Sequence, residues 1–194
     1  RVGHYQLVST ISVYASMAGE TTNEDTPLAE LPDPGVEQVT GETYGGLKAL
    51  CERAATAAFA ARGTPCLVAR PGLLVGPFDP TGRFTWWVQR LLRGGPTLAP
   101  GDPAQPVQFI DARDAAAWLL AQAECRREGT FNLTGPVTPL SLAGLLDTAC
   151  DALGTRADFE WVDEAFLLAR DVAPWSDLPL WLPQAQAGLH RTDI

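Results

Sequence analysis

The stretch TYGGLKALCE, residues 43–52, holds the only lysine of the chain, Lys48, while the other thirteen basic side chains are arginine. Lys48 follows Tyr44 by four residues inside an Ala-rich run, Glu42–Arg62, that stops before Gly63 and Pro65. That pattern predicts a helix. Four residues make about one helical turn, so the two side chains share a face, roughly 6 Å apart at the base. Tyrosine ordinarily ionises close to pH ~10. To move a proton near neutrality its hydroxyl must become about three pH units more acidic, worth ~4 kcal/mol. A neighbouring ammonium pushes that way by favouring the phenolate. Lysine does so as a compact point charge with three rotatable donors, where arginine presents a broad planar fork. Tyr-x-x-x-Lys alone is a weak pattern, and a solvated surface lysine explains it about equally well.

The flanking segments shift the balance. HYQLVSTISVY, residues 4–14, is rich in Val, Ile and Tyr and reads as a buried strand of a parallel sheet, with hydroxyls at Ser9, Thr10 and Ser12 near its end. Residues Ala15–Gly41 carry Pro27, Pro32 and Pro34 among many acids and read as a long loop, a length usually tied to function. PCLVARPGLLVGP, residues 65–77, reads as a second buried strand ending in a Pro/Gly turn. Strand, loop, helix and strand make a βαβ-like unit of an α/β fold. In such sheets ligands sit at the C-terminal ends of strands, where the hydroxyls and Pro71, Gly72, Gly76 and Pro77 fall. Local backbone pairing explains the hydroxyls taken singly, and turn chemistry the glycines. Their joint order with the Tyr–Lys helix is much harder to assign to chance.

Past Pro77 the texture changes. RFTWWVQRLLRGG predicts a short amphipathic helix, PVQFI a short strand, and DARDAAAWLLAQAE a helix with acids in its first turn. GTFNLTG and ADFEWV read as strands, flanking a helix that Ser141 caps and Gly154 closes. Residues 163–194, with Trp175 and Trp181 among prolines, show no readable organisation.

The bulk numbers bound the function. A chain of 194 residues with 46% hydrophobic and 19% charged content can bury a real core. Its net charge of −9 disfavours nucleic-acid partners. No apolar run reaches membrane-spanning length and no signal peptide is visible. Cys51, Cys66, Cys125 and Cys150 are scattered and the only histidines are His4 and His190, so no metal site is expected. Buried free thiols in a reducing cytoplasm are the default. Without an initiator Met, and with a strand starting almost at once, the chain reads as a piece of a longer protein.

Taken together, these segments resemble the extended and atypical short-chain dehydrogenases/reductases, the NAD(P)-dependent epimerase/dehydratase family. STISVYA is similar to the family's S-[ST]-x-x-V-Y-G, NEDTP to its acidic E-D-x-P loop, YGGLK to its Y-G-x-S-K, and RPGLLVGP to its R-P-x-x-V-Y-G-P. VQFIDARDAAAWL and GTFNLTGPVTPLSLAGLLD are similar to its F-I-x-V-x-D-x-A and Y-N-x-x-G-x-x-x-S-x-x-E-L segments. The resemblance runs from about His4 to Leu153. It departs mildly at Ala15 and Leu47. It lacks any Gly-rich G-x-x-G-x-x-G turn, which in the family cradles the pyrophosphate ahead of the point where this chain starts.

The resemblance implies the C-terminal part of a Rossmann-like parallel sheet, residues 1–77, and a smaller mixed α/β substrate-binding region, residues 78–194. It implies an epimerase, dehydratase or reductase that uses NAD or NADP on a carbinol or keto carbon of a small molecule, a nucleotide sugar being one candidate. Tyr44 would be the acid/base, Lys48 would hold the nicotinamide ribose and acidify Tyr44, and Thr10 would orient substrate. Pro71, Gly72 and Leu73 would touch the nicotinamide through backbone, and Arg83 or Trp86 would contact substrate, with Trp87 read as core. The helix Glu42–Arg62 would join a homodimer. This piece alone would be inactive. Two other readings share the fold: a non-catalytic NAD(P)-sensing regulator, against which Thr10, Tyr44 and Lys48 argue, and an RNA-binding atypical member, against which the charge argues.

Overall fold

A near-continuous apolar run suits a strand covered on both faces. In the computed structural model, which describes residues 2–16, 21–33 and 35–193, the run around Leu67–Pro71 is such a strand. In chain order the elements are β1 (Tyr5–Val8), a 3-10 turn (Ile11–Val13), α1 (Tyr44–Ala60), β2 (Cys66–Pro71), β3 (Leu73–Val75), α2 (Arg83–Leu92) and β4 (Gly95–Pro100). There follow β5 (Phe109–Asp111), α3 (Ala112–Glu124), β6 (Gly129–Leu133), α4 (Leu142–Leu153), β7 (Ala157–Val162), α5 (Glu164–Leu168) and a second 3-10 helix (Gln184–His190).

The site-bearing sheet is parallel, in the order β1-β2-β6. Val8 stands opposite Ala69, and Ala69 opposite Phe131. On one face, Leu67, Ala69 and Leu133 pack with Ala115, Trp118 and Leu119 of α3. Around the 3-10 turn, Ile11, Val13 and Tyr14 pack on Ala49 of α1. A second core joins Trp87 and Leu91 of α2, Ala99 of β4, Val107, and Leu142, Leu145 and Leu146 of α4. The strand pairs β3–β5 and β4–β7 are also parallel. The α/β class and the parallel pairing are as the sequence leads one to expect.

One charge sits inside the central strand. Arg70 is 4% exposed and pairs in bidentate fashion with the equally buried Glu52 of α1, Nε to Oε1 at 3.1 Å and Nη2 to Oε2 at 2.8 Å. Its Nη1 donates to the Tyr14 hydroxyl at 3.2 Å and to the Glu24 carbonyl at 3.3 Å. Tyr14 donates in turn to Asn132 Oδ1 at 2.5 Å, and the Asn132 N–H donates to Glu24 Oε1 at 2.7 Å. Burial pulls the Arg70 pKa down, but its bonds to Glu52 and Tyr14 outweigh that and hold it above the ordinary value. Burial likewise raises the Tyr14 pKa, against the pull of Arg70.

Several boundaries differ from the sequence reading. The strand expected over residues 4–14 stops at Val8, because Thr10 caps the 3-10 turn by accepting the Ser12 N–H at 3.1 Å. The single strand expected over 65–77 breaks at Gly72 into β2 and β3, which belong to different sheets. The expected 15–41 loop is tied down by bridges Tyr14–Leu28 and Thr22–Thr192. β4 was not foreseen, since GPTLAP is rich in strand-disfavoured residues. The region 163–194 contains α5 and the second 3-10 helix. Ser141 and Gly154 cap α4 as read. Cys51 and Cys125 are exposed thiols rather than buried ones, because they lie on outward faces of α1 and at the end of α3.

Removing one partner of a buried ion pair leaves an uncompensated charge. Glu52→Ala is therefore expected to lower unfolding free energy by about 3–5 kcal/mol in urea denaturation; a loss below about 1 kcal/mol would show that solvent satisfies Arg70 instead.

Candidate active site

At the C-terminal ends of β1 and β2 lies a cleft of about 920 Å³. Its floor is Val8, Ser9 and Thr10, where β1 leaves the sheet. Ser9 is buried and among the described residues its Oγ has no partner, while Thr10 Oγ1 donates to Ser12 Oγ at 3.2 Å. Tyr44 opens α1 on one wall and is 39% exposed. Its placement depends on the next residue: a Cβ at Gly45 would stand 2.2 Å from the Ser12 carbonyl oxygen, so only glycine lets the start of α1 press against the 3-10 turn.

Lys48 lies one turn further along α1, and its Nζ donates to the Val8 carbonyl at 2.8 Å. Among the described residues no hydrogen bond joins that ammonium to the Tyr44 hydroxyl. Pro71, Gly72 and Leu73 form the opposite lip. The Gly72 N–H donates to the Leu133 carbonyl at 3.0 Å, and a Cβ there would meet Thr134 Oγ1 at 2.5 Å. Arg83 begins α2 after the left-handed Gly82 and also lines the cleft. Burial lowers its pKa, and Asp79 opposes that. Trp86 is not among the cleft-lining residues; its ring meets Trp87 edge-on at 4.9 Å. Trp87 is buried and its indole N–H donates to the Pro179 carbonyl at 2.6 Å, a core role.

The structure thus brings Thr10, Tyr44, Pro71, Gly72, Leu73 and Arg83 to one cavity; Lys48 is not among its lining residues and meets it only through its bond to the carbonyl of Val8, which is. Sequence reasoning did not reach Trp175, Leu182, Leu189 and His190, which the region beyond residue 163 delivers to the same cleft. No motif marks them, and the Trp and Pro residues there carry no periodicity that could have found them. His190 is 2% exposed, and its Nδ1 accepts the Gln108 N–H at 3.1 Å. Burial brings its pKa down to about 4, so the ring is neutral at pH ~7.

A parallel α/β sheet with a ligand-sized cleft at its strand ends, lined by a hydroxyl, a phenol and glycine-permitted backbone, defines a nucleotide-cofactor class of fold. The profile of the NAD dependent epimerase/dehydratase family matches residues 2–133, and the chain belongs to that family. Solved structures of similar fold include a UDP-N-acetylglucosamine 4-epimerase from Bacillus cereus (20% identity, TM-score 0.62, covering 97% of this chain and 64% of that one). A UDP-glucuronic acid 4-epimerase from the same organism, in complex with NAD, shares 19% identity with a TM-score of 0.61, over 96% of this chain and 57% of that one. A dTDP-glucose 4,6-dehydratase from Bacillus anthracis str. Ames, also with NAD, shares 20% identity with a TM-score of 0.58, over 96% and 60%. The chain therefore spans less than two thirds of these proteins. No curated protein matches it.

Gly45→Ala is expected to cost about 1–3 kcal/mol of stability, whereas Gly41→Ala, with open space around its Cβ, is expected to be near neutral in the same denaturation assay. His190 supplies a pH dependence. Unfolded, it takes a proton below pH ~6.5; folded, it resists protonation until about 4. Stability is therefore full above pH ~6.5 and falls as pH drops toward 4, by about 3 kcal/mol in total. His190→Phe should remove that component, read as the difference between the two proteins' urea midpoints at each pH; parallel pH profiles would show that the histidine is free to ionise in the fold.

Proposed function

We propose that this chain carries the catalytic and substrate-facing part of an NAD(P)-dependent epimerase, dehydratase or reductase acting on a carbinol or keto carbon of a small molecule. One observation carries the reading: Thr10 and Tyr44, from separate motifs, line one cleft whose floor carbonyl, at Val8, holds the ammonium of Lys48. Family membership and the NAD complexes of its structural relatives support it.

The residues present fit the nicotinamide end of such a cofactor. The cleft is large enough, the Ser9 hydroxyl at its floor is buried without a partner among the described residues, and Gly72, which packs on Thr134 as only glycine can, places its backbone at the lip. The Gly-rich turn that would hold the pyrophosphate is not in this sequence. When bound, the nicotinamide supplies the hydride acceptor or donor. Tyr44 then takes or returns the hydroxyl proton of the reacting carbon, and Thr10 orients that hydroxyl. Lys48 uses one of its three donors on Val8, leaving two for ribose hydroxyls and for the charge of the phenolate. Residues 1–77 would face the cofactor and residues 78–194 the substrate, apart from β6, which returns to the main sheet. Nucleotide sugars are candidate substrates because the relatives act on them. The helix α1 exposes Ala54, Ala57 and Ala58, a surface suited to a homodimer.

Two measurements test this. By calorimetry the 194-residue chain is expected to bind NAD(P) more weakly than about 1 mM, whereas micromolar binding would contradict the assignment of phosphate affinity to a Gly-rich turn. Joined to a Gly-rich dinucleotide-binding half and assayed with UDP-glucose, UDP-N-acetylglucosamine and UDP-glucuronic acid, Tyr44→Phe should lower turnover at least ~100-fold while leaving NAD(P) affinity within about twofold. Unchanged turnover in that variant removes Tyr44 from the mechanism.

A further inference from the structure

We infer that the cleft takes a substrate bearing a single carboxylate, bound by Arg83, with Trp175 as the platform that fixes the guanidinium. The inference rests on the reading of the cleft as an active site and names the group of the substrate that meets Arg83.

Arg83 is half-buried in the cleft wall, with its guanidinium carbon 4.8 Å from the centroid of the Trp175 ring. Among the described residues it donates no hydrogen bond and has no carboxylate within ion-pair distance. A guanidinium has five donors in a planar fork that matches a carboxylate. Partly stripped of water and without an acceptor among the described residues, it offers its fork of donors to an oxyanion.

Trp175 is held for this position at a conformational cost. Its φ is 66°, a left-handed backbone that a bulky aromatic residue rarely adopts. The surroundings impose it: its N–H donates to the Trp181 carbonyl at 3.1 Å, and Asp177 Oδ2 accepts the Ala173 N–H at 2.8 Å. Strained residues of this kind concentrate at ligand clamps. The His190 ring lies 6.0 Å from the indole, so an arginine, an indole and a neutral imidazole line the cleft in sequence.

Charge selects the ligand class. Among the described residues that line the cleft Arg83 is the only cation, Lys48 reaching it only through the Val8 carbonyl; Glu42 and Asp79 are acids, and Asp79 Oδ1 is taken by the Thr81 N–H and hydroxyl at 2.8 and 2.7 Å. A multiply charged phosphate group at Arg83 would stand beside the Asp79 carboxylate, the acid that acts on that guanidinium. A single carboxylate forms a neutral, bidentate pair with Arg83.

The test uses the intact 194-residue chain and the side-chain Nε–H NMR signals of its arginines, with Arg83 assigned by its loss in Arg83→Lys. Propionate, inorganic phosphate and methyl glucoside are titrated at constant ionic strength. The Arg83 signal is expected to shift saturably with propionate, at least about fivefold tighter than with phosphate, and not with the glucoside. Trp175→Leu should weaken propionate binding about tenfold and Trp175→Phe about twofold at most. An Arg83 signal that moves no more than the other arginines, that prefers phosphate, or that responds to the glucoside alone overturns the carboxylate assignment. Wild-type affinity in Trp175→Leu overturns the platform role. Should the leucine variant lose its folded spectrum, the three-probe comparison in the wild type still decides. No cofactor takes part, so failure here leaves the Tyr44 reading standing, and unchanged turnover in Tyr44→Phe leaves this site standing.

Discussion

The arrangement depends on a positive charge buried inside a strand. Arg70 stands in the middle of the β1-β2-β6 sheet and is supported from three directions: by Glu52 on α1, by Tyr14 beyond the 3-10 turn, and by the backbone of Glu24 in the long loop. A buried ion pair adds little net stability over an apolar replacement, but it tolerates almost no displacement of either partner. Satisfying Arg70 therefore fixes the rotation and the advance of α1 over the sheet. Glu52 lies eight residues after Tyr44, about 12 Å along the helix axis. The clamp at Glu52 and the glycine contact at Gly45 together determine where the phenol enters the cleft.

The same network explains why segments far apart in sequence behave as one unit. Asn132 on β6 accepts from Tyr14, donates its N–H to Glu24 Oε1, and donates its side-chain N–H to the Asp193 carbonyl at 3.2 Å. The acidic loop and the extreme C-terminal segment are thus pinned to the edge of the main sheet. Thr22 and Thr192 pair beside them. This is how residues past 163, which carry no family motif, come to wall the cleft opposite Thr10 and Tyr44.

What could be read in advance follows from which interactions are local. The helices α1, α3 and α4 announce themselves through composition and caps, and Ser141 and Gly154 act within their own turn. That Thr10, Tyr44 and Pro71–Leu73 would line one cleft was legible because consecutive motifs place them at the ends of neighbouring elements. The break at Gly72 was not, since it reflects the approach of Thr134, sixty-two residues away. β4 carries glycine and prolines and is a strand because it pairs with β7. The left-handed Trp175 has no sequence signal either, because its conformation is imposed by contacts with Trp181 and by the turn closed at Asp177.

The lone lysine can now be understood in physical terms different from the expected ones. Its ammonium is not parked on the phenol; it satisfies the carbonyl of Val8, the last residue of β1. A point charge can bond that carbonyl with one donor and still turn its other two toward the cleft. A guanidinium on a longer stem would bond it through a rigid fork and direct its remaining donors away along the fork's plane. Lysine thus has two further donors after anchoring, and the anchor itself sets the cation at the strand end where Ser9 and Thr10 begin.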